Sequence, residues 1–271
     1  MNLPKISIIL PVFNGAFFLK ECINSLLSQT FIDFELLIIN DGSTDDTEKI
    51  ISSYTDPRIR YIKNEKNSGL IYSLNLGINM AKGVYLARMD ADDIALPERL
   101  LEQNNFLDTH PGCDVVAGCI TLIDHNNRNI GHWPLDRNTI TFQSICKTMP
   151  FENCLAHPSI MGRTIVFKAF MYDPQQNHLE DYHLWLRMLS NGIIIEKVSH
   201  SILLYRDNPG SITNQTLRKD NFFFRHARMK KDIIWAAIKG KKFSAYQLRI
   251  LLAIVLDIIK GCAKALKAIL N

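Results

Sequence analysis

The sequence predicts an α/β protein: a mainly parallel, twisted sheet flanked by helices, followed by a C-terminal helical extension. Three observations carry that expectation. Apolar, β-branched runs alternate with helical patterns through the first half of the chain. The connections between them are short, and polar residues stand at the end of each run.

The elements follow in order. Ile6 to Val12 (ISIILPV) is almost continuously apolar, as a strand covered on both faces must be. Leu19, Ile23, Leu26 and Leu27 then keep helical spacing. FELLIIN, Phe34 to Asn40, reads as a second buried strand, and Thr44 to Tyr54 as a second helix. Ile59 to Lys63 is the third strand, and Ile71, Leu74, Ile78 and Ala81 mark the apolar face of the third helix. Val84 to Met89 is the fourth strand, and Pro97 suits the opening of the fourth helix. From about Cys113 to Tyr205 the alternation loosens into mixed strands, loops and helices. Arg218 onward reads as helical.

Charge divides the chain the same way. Of the 31 Lys and Arg, 13 fall in residues 218 to 271 against 3 Asp and no Glu, so the body is acidic and the tail basic. Asp257, Lys260, Lys264 and Lys267 form a polar stripe there, opposite Leu251, Val255, Ile258, Cys262, Ala265 and Ile269. That is a basic amphipathic helix, expected to meet something anionic. Its apolar run, Ile250 to Leu256, falls short of the ~20 residues a bilayer span needs. No signal peptide is read at the N-terminus, and the six cysteines lack CxxC spacing. The expected compartment is therefore cytoplasmic, with reduced thiols.

In open α/β sheets ligands bind beyond the carboxyl ends of the strands. Asn14, Asp41, Asn67 and Asp90 stand at those ends. No GxGxxG follows the first strand and no GxxxxGK[ST] occurs, which disfavours dinucleotide and P-loop sites; without GxSxG a hydrolase triad is unsupported. In NDGSTDDT, Ser43 with Asp46 fits a helix cap and Asp45 fits the helix dipole. Asp41 precedes that cap. It serves either the turn or a nucleobase imide N–H.

YLARMDADD places Asp90, Asp92 and Asp93 directly after an apolar strand. A solvated loop is one reading. A hard divalent cation with oxygen ligands, joined to substrate phosphates, is the other. In HLEDYHLWLRM, Asn177 with Glu180 resembles a capping box, while Asp181 at a helix N-terminus suits a general base. His157 in HPSI is a core histidine, a metal ligand or a substrate contact, and no second histidine stands at ligand spacing.

Taken in order, SIILPVFNGAFFLKECINSLLSQT, ELLIINDGSTDDT, NSGLIYSLNLGI, GVYLARMDADD, HPSIM and LEDYHLWLRM resemble the bacterial family 2 glycosyltransferases of the GT-A fold. The resemblance covers roughly Ile6 to Arg206. It implies a nucleotide-binding half at residues 1–112, an acceptor half at 113–213 and the extension at 214–271. It implies that Pro11, Val12 and Asn14 line the nucleotide pocket, that Asp41 meets uracil, and that Asp90 lies near the ribose. Asp92 would take the Mn²⁺ or Mg²⁺ that bridges the donor diphosphate. Asp181 would be the base, supported by Glu180, with Asp93 and His157 as donor or acceptor contacts.

The implied reaction is a single inverting transfer from a UDP-sugar to a hydroxyl of a lipid-linked saccharide, in surface polysaccharide or lipopolysaccharide synthesis. The basic tail would hold the enzyme on the cytoplasmic membrane surface, and nucleic acid is not expected as a partner. YRDNPGSIT, Tyr205 to Thr213, stands where processive members carry a QxxRW-like motif, which implies one sugar per encounter. Two rivals remain. A sugar nucleotidyltransferase would want a Gly-rich, basic loop after the first strand, and PVFNGAFF offers none. A non-catalytic, membrane-associated nucleotide-sugar-binding module would keep the fold without the chemistry.

Overall fold

The computed structural model describes residues 3–207, 221–240 and 243–270, with no side-chain placement for 268–270. The expected boundary between residues 213 and 214, and most of YRDNPGSIT, lie outside the described residues.

The first strand, β1 (Ile6–Val12), is buried along its whole length and lies between β2 (Phe34–Asn40) and β4 (Tyr85–Arg88), with β3 (Ile59–Lys63) outside β2. These four strands are mutually parallel. Alternation decides which face each residue serves. Ile6, Ile8, Leu10 and Val12 pack on the side of α1 (Ala16–Leu27), through Leu19, Cys22, Ile23 and Leu26. Ile9, Leu37 and Ile39 pack on the other side against Ile71, Leu74 and Ile78 of α3 (Leu70–Met80). Each such aliphatic side chain contributes about 1.5–3 kcal/mol when fully buried. Ser7, the one polar residue within this run, is satisfied: its hydroxyl donates to Glu35 at 2.6 Å and accepts from the amide of Gly83 at 2.8 Å. Pro11 falls beyond the last β1–β4 pair, Ile9 with Arg88, where pairing with β4 has ended.

The remaining strands extend the same sheet. They are β5 (Ile94–Ala95), β6 (Val115–Ile123), β7 (Asn129–His132), β8 (Met161–Arg163) and β9 (Ile195–Arg206). The order is β3-β2-β1-β4-β8-β6-β9-β5, with β7 paired to β6. β8 runs antiparallel between β4 and β6, and β9 runs parallel to β6. The parallel core expected from the first half is present, and the loosened pattern after Cys113 corresponds to this mixed wing. The helices there are α4 (Arg99–Thr109), α5 (Phe142–Thr148), α6 (Thr164–Phe170) and α7 (Glu180–Ser190). Single 3₁₀ turns lie at Pro134–Asn138 and His157–Ser159.

Several element ends differ from the sequence reading, each for a physical reason. α2 (Thr47–Ser52) begins three residues after Thr44, because Ser43, expected to cap it, is engaged elsewhere. The Ser43 hydroxyl accepts from the Asn14 amide at 2.9 Å, and Asp45 accepts from the amides of Ala16 and Thr47, both at 3.1 Å. Pro97 stays outside α4, with its carbonyl accepting from the Thr30 amide at 3.0 Å. The capping box at Asn177 does not form. Leu179 takes the N-cap position, and the Asn177 carbonyl accepts from Arg225 at 2.6 Å.

The extension is two helices, α8 (Phe222–Lys239) and α9 (Ala245–Leu270), packed on each other, with α8 also against α7. Met229, Ile233, Ile234 and Ile250 join the same apolar cluster as Trp185 and Met188 of α7. Of the expected polar stripe only Asp257 turns inward, where it accepts from Lys230 at 2.6 Å, while Lys260, Lys264 and Lys267 are exposed. The apolar face of α9 turns outward.

Candidate active site at the strand ends

The carboxyl ends of β1 and β2 carry the first group of expected residues. Pro11 and Val12 are buried, and the Val12 carbonyl accepts from the Asp41 amide at 2.8 Å. Asn14 is exposed with φ 50°, and its side-chain oxygen accepts from the Thr44 amide at 2.8 Å. Asp41 is only 4 % exposed. One of its oxygens accepts from Asn64 Nδ2 at 2.7 Å and from the Ser68 amide at 3.0 Å; the other accepts from the Gly69 amide at 2.8 Å. The carboxylate therefore clamps the 64–69 loop against the strand end. Gly42 makes the clamp possible. Its φ is +71°, and a Cβ there would lie 2.5 Å from the Lys66 carbonyl carbon.

β4 delivers the acidic group. Asp90, Asp92 and Asp93 each place an oxygen within 4.8 Å of the others. Arg88, 3 % exposed, neutralises the first of them through a two-pronged pair with both Asp90 oxygens. Arg206, at the end of β9, approaches from the other side. Its amide donates to Asp93 Oδ1 at 2.8 Å and its Nε to the Asp92 carbonyl at 2.8 Å. It also pairs with Glu21 at 2.9 Å and stacks 4.0 Å over Phe18. Arg99 of α4, fully buried and drawn down to about 10 by that burial, donates to the Arg88 carbonyl at 2.7 Å.

The acidic residues respond to this setting. Burial first, and Asp90 second, push the Asp92 carboxyl up to about 6. Burial pushes Asp93 well above the usual carboxylate range, and its Oδ2 is buried without a hydrogen-bond partner. This donor set fits a hard divalent cation. Asp90 is already held by Arg88, leaving Asp92 and the orphaned oxygen of Asp93 as the free ligand atoms.

The second wall of the site comes from α7. Glu180 and Asp181 form its first turn, where the helix dipole favours negative charge. Asp181 is held by the Tyr182 amide at 2.6 Å and by Asn153 Nδ2 at 2.8 Å. Burial nevertheless raises its carboxyl above the usual range. Burial, then Asp181, push Glu180 up to about 7. His157 shares a 2.7 Å hydrogen bond with the Tyr172 hydroxyl, and burial holds its ring well below the ordinary imidazole range. Arg88 acts electrostatically on His157, Tyr172, Glu180 and Asp181, and Asp90 acts on Tyr172 and Glu180. The two acidic motifs, far apart in sequence, thus lie around one buried guanidinium.

Sequence reasoning missed Arg88, Arg206, Tyr172 and Asn153. Only Arg88 carried a signal: it stands two residues before Asp90, on the same side of an extended strand. A separate cavity of about 600 Å³ lies behind α7, lined by Tyr172, His183, Arg187 and Ala237 among others. None of the strand-end carboxylates reaches it.

Comparison with known proteins identifies the family and the fold. An uncharacterized glycosyltransferase of Methanocaldococcus jannaschii is 32% identical over 234 residues, which are 85% of this chain and 77% of that protein. Another from Rickettsia typhi is 32% identical over 220 residues, 80% of this chain and 68% of its own. The crystal structure of S. aureus TarS 1-349 in complex with UDP-GlcNAc superposes with a TM-score of 0.72 at 21% identity, covering 92% of this chain and 72% of that one. The mannosyltransferase PcManGT from Pyrobaculum calidifontis, in complex with GDP-Man and Mn²⁺, superposes with a TM-score of 0.68 at 15% identity, covering 100% and 76%. Residues 7–165 match the family profile described as glycosyl transferase family 2, and the chain belongs to that family.

Proposed function

We propose that the protein transfers one sugar from a UDP-sugar to a hydroxyl of a saccharide acceptor, with inversion at the anomeric carbon, and that Asp181 is the base. The observation that carries this reading is the half-buried pair Glu180 and Asp181 at the start of α7, within electrostatic reach of the Arg88 guanidinium that pairs with Asp90. Asp181 takes the proton from the acceptor hydroxyl as its oxygen attacks the anomeric carbon. The Asn153 and Tyr182 contacts fix the carboxylate's direction. Glu180 supports it and His157 contacts donor or acceptor.

On the donor side Pro11, Val12 and Asn14 line the nucleotide pocket. Asp41 carries lone pairs beyond those used by the 64–69 loop and accepts from the uracil imide. Asp90 lies near the ribose. Asp92, with Asp93, would hold Mn²⁺ or Mg²⁺, which when bound supplies electrostatic stabilisation to the leaving diphosphate. Support for the nucleotide comes from the fold neighbours, solved with UDP-GlcNAc and with GDP-Man and Mn²⁺. Residues 1–112 serve the nucleotide and 113–213 the acceptor, which we take to be a lipid-linked saccharide of surface polysaccharide or lipopolysaccharide synthesis.

Calorimetry with UDP, with and without Mn²⁺, and a screen of UDP-sugars for acceptor-dependent UDP release test the reading. Asp181→Asn should bind UDP as the parent does while losing transfer by about 10²–10⁴-fold. Transfer at the parent rate by that variant would remove Asp181 from the role.

A further inference from the structure

Helix α9 is packed with its apolar face outward. Its inward seam is Ile250, Ala253, Asp257 and Gly261, at three- and four-residue spacing along one side. Leu252, Val255 and Ile259, on the opposite side, are 54%, 53% and 58% exposed, and Leu248 and Leu266 continue that stripe. A helix docking merely for stability would do the reverse. The seam joins Ile250 and Ala253 to the buried Lys230–Asp257 pair, which fixes the rotation of α9 about its own axis and holds the longer aliphatic face out.

We propose that this outward face of α9, together with the exposed Trp235 of α8, is the surface by which the enzyme docks on an anionic lipid bilayer. Charge selects the occupant. Residues 218–271 carry 13 Lys and Arg against 3 Asp, so a second copy would bring two strongly basic surfaces together. An anionic headgroup layer complements them, at about 1 kcal/mol for each Lys or Arg near such a surface. Lys260 and Lys264, over the rings of Phe223 and Phe222, border the apolar face, and Lys239 lies 5.3 Å over Trp235. An amphipathic aromatic beside a basic residue suits the headgroup level. No helix among the described residues is long and apolar enough to cross a membrane, so α9 lies along the surface.

Docking there places the chemistry. Gln247 Nε2 donates to the Ser190 carbonyl at 3.4 Å, and Lys230 lies 5.4 Å over the Tyr182 ring. The docking helices therefore grip both ends of the helix that begins with Glu180 and Asp181. From Ser190 to Asp181 is about 14 Å along that axis, at 1.5 Å per residue. This deepens the lipid-linked acceptor reading, and it rests on that reading only for the purpose of docking.

The test is sedimentation of the full chain with vesicles of phosphatidylcholine alone and of phosphatidylcholine with phosphatidylglycerol. The parent should pellet with the anionic vesicles, and less so as salt is raised. The triple variant Leu252→Glu, Val255→Glu, Ile259→Glu changes only exposed side chains, so its thermal melt and UDP binding should match the parent's. Its partitioning should fall by more than about tenfold. A parent that stays in solution, a triple variant that pellets equally, or a lipid-free dimer that the variant dissolves would each overturn the proposal. Should the triple variant misfold, Val255→Glu alone gives the same comparison. Lipid binding without UDP binding by the parent would leave docking standing and remove the glycosyltransferase reading of the site.

Discussion

Glu180 is a carboxyl whose surroundings make it titrate near neutrality. Burial and the neighbouring Asp181 move it from its ordinary 4.5 up to about 7. Between about pH 4.5 and 7 the folded chain keeps a proton that the unfolded chain releases, so this group lowers stability as pH rises through that window. Glu180→Gln should therefore stabilise the protein at about pH 8, by up to about 3 kcal/mol, and change little at about pH 4. Urea denaturation at the two pH values checks this, and a gain at the acid end alone would contradict it. The acids themselves were legible in the sequence, because a strand end and a helix start are where carboxylates do chemistry. Their counterion was missed, although it stands two residues before the first of them: Arg88 chelates Asp90. Arg206 could not have been read at all, since it meets Asp93 across 113 residues of chain.

Elements form here by contacts between loops as much as by their own caps. Ser43, Asp45 and Asp46 have the composition of a helix start, and the capping reading followed from that. In the folded chain Ser43 and Asp45 tie the β1–α1 loop to the β2–α2 loop, and α2 starts late as a result. Local spacing cannot distinguish a cap from a cross-link, because both need a short acceptor side chain. The same junction gives a test of the nucleotide side. Gly42→Ala would force a left-handed residue against the Lys66 backbone, at a cost of about 2 kcal/mol or more. The 64–69 loop would move off Asp41, so UDP affinity should drop together with the urea midpoint. An alanine variant with the parent's affinity would separate Asp41 and its loop from nucleotide binding.

At the scale of the molecule, one sheet divides two apolar layers, and the C-terminal hairpin completes one of them. α9's amphipathicity was readable from the sequence; which face would turn inward was not, because that depends on Lys230 meeting Asp257 and Ile250 meeting α8. The parallel half of the sheet was legible because each strand is buried on both faces. The antiparallel insertion of β8 was not, since Met161–Arg163 is too short to show a period. Ile233 on α8 shares its apolar cluster with Trp185 on α7 and with Ile71 and Leu74 under the parallel strands. The hairpin is thus continuous with the core around α7 rather than an appendage. Ile233→Ala removes buried methyl groups there and should cost about 2–4 kcal/mol. Far-UV circular dichroism and tryptophan fluorescence should shift together in urea, because hairpin and body unfold as one unit. A variant whose helical signal melts first, while the fluorescence midpoint keeps its parent value, would show that α8 and α9 fold apart from the sheet they cover.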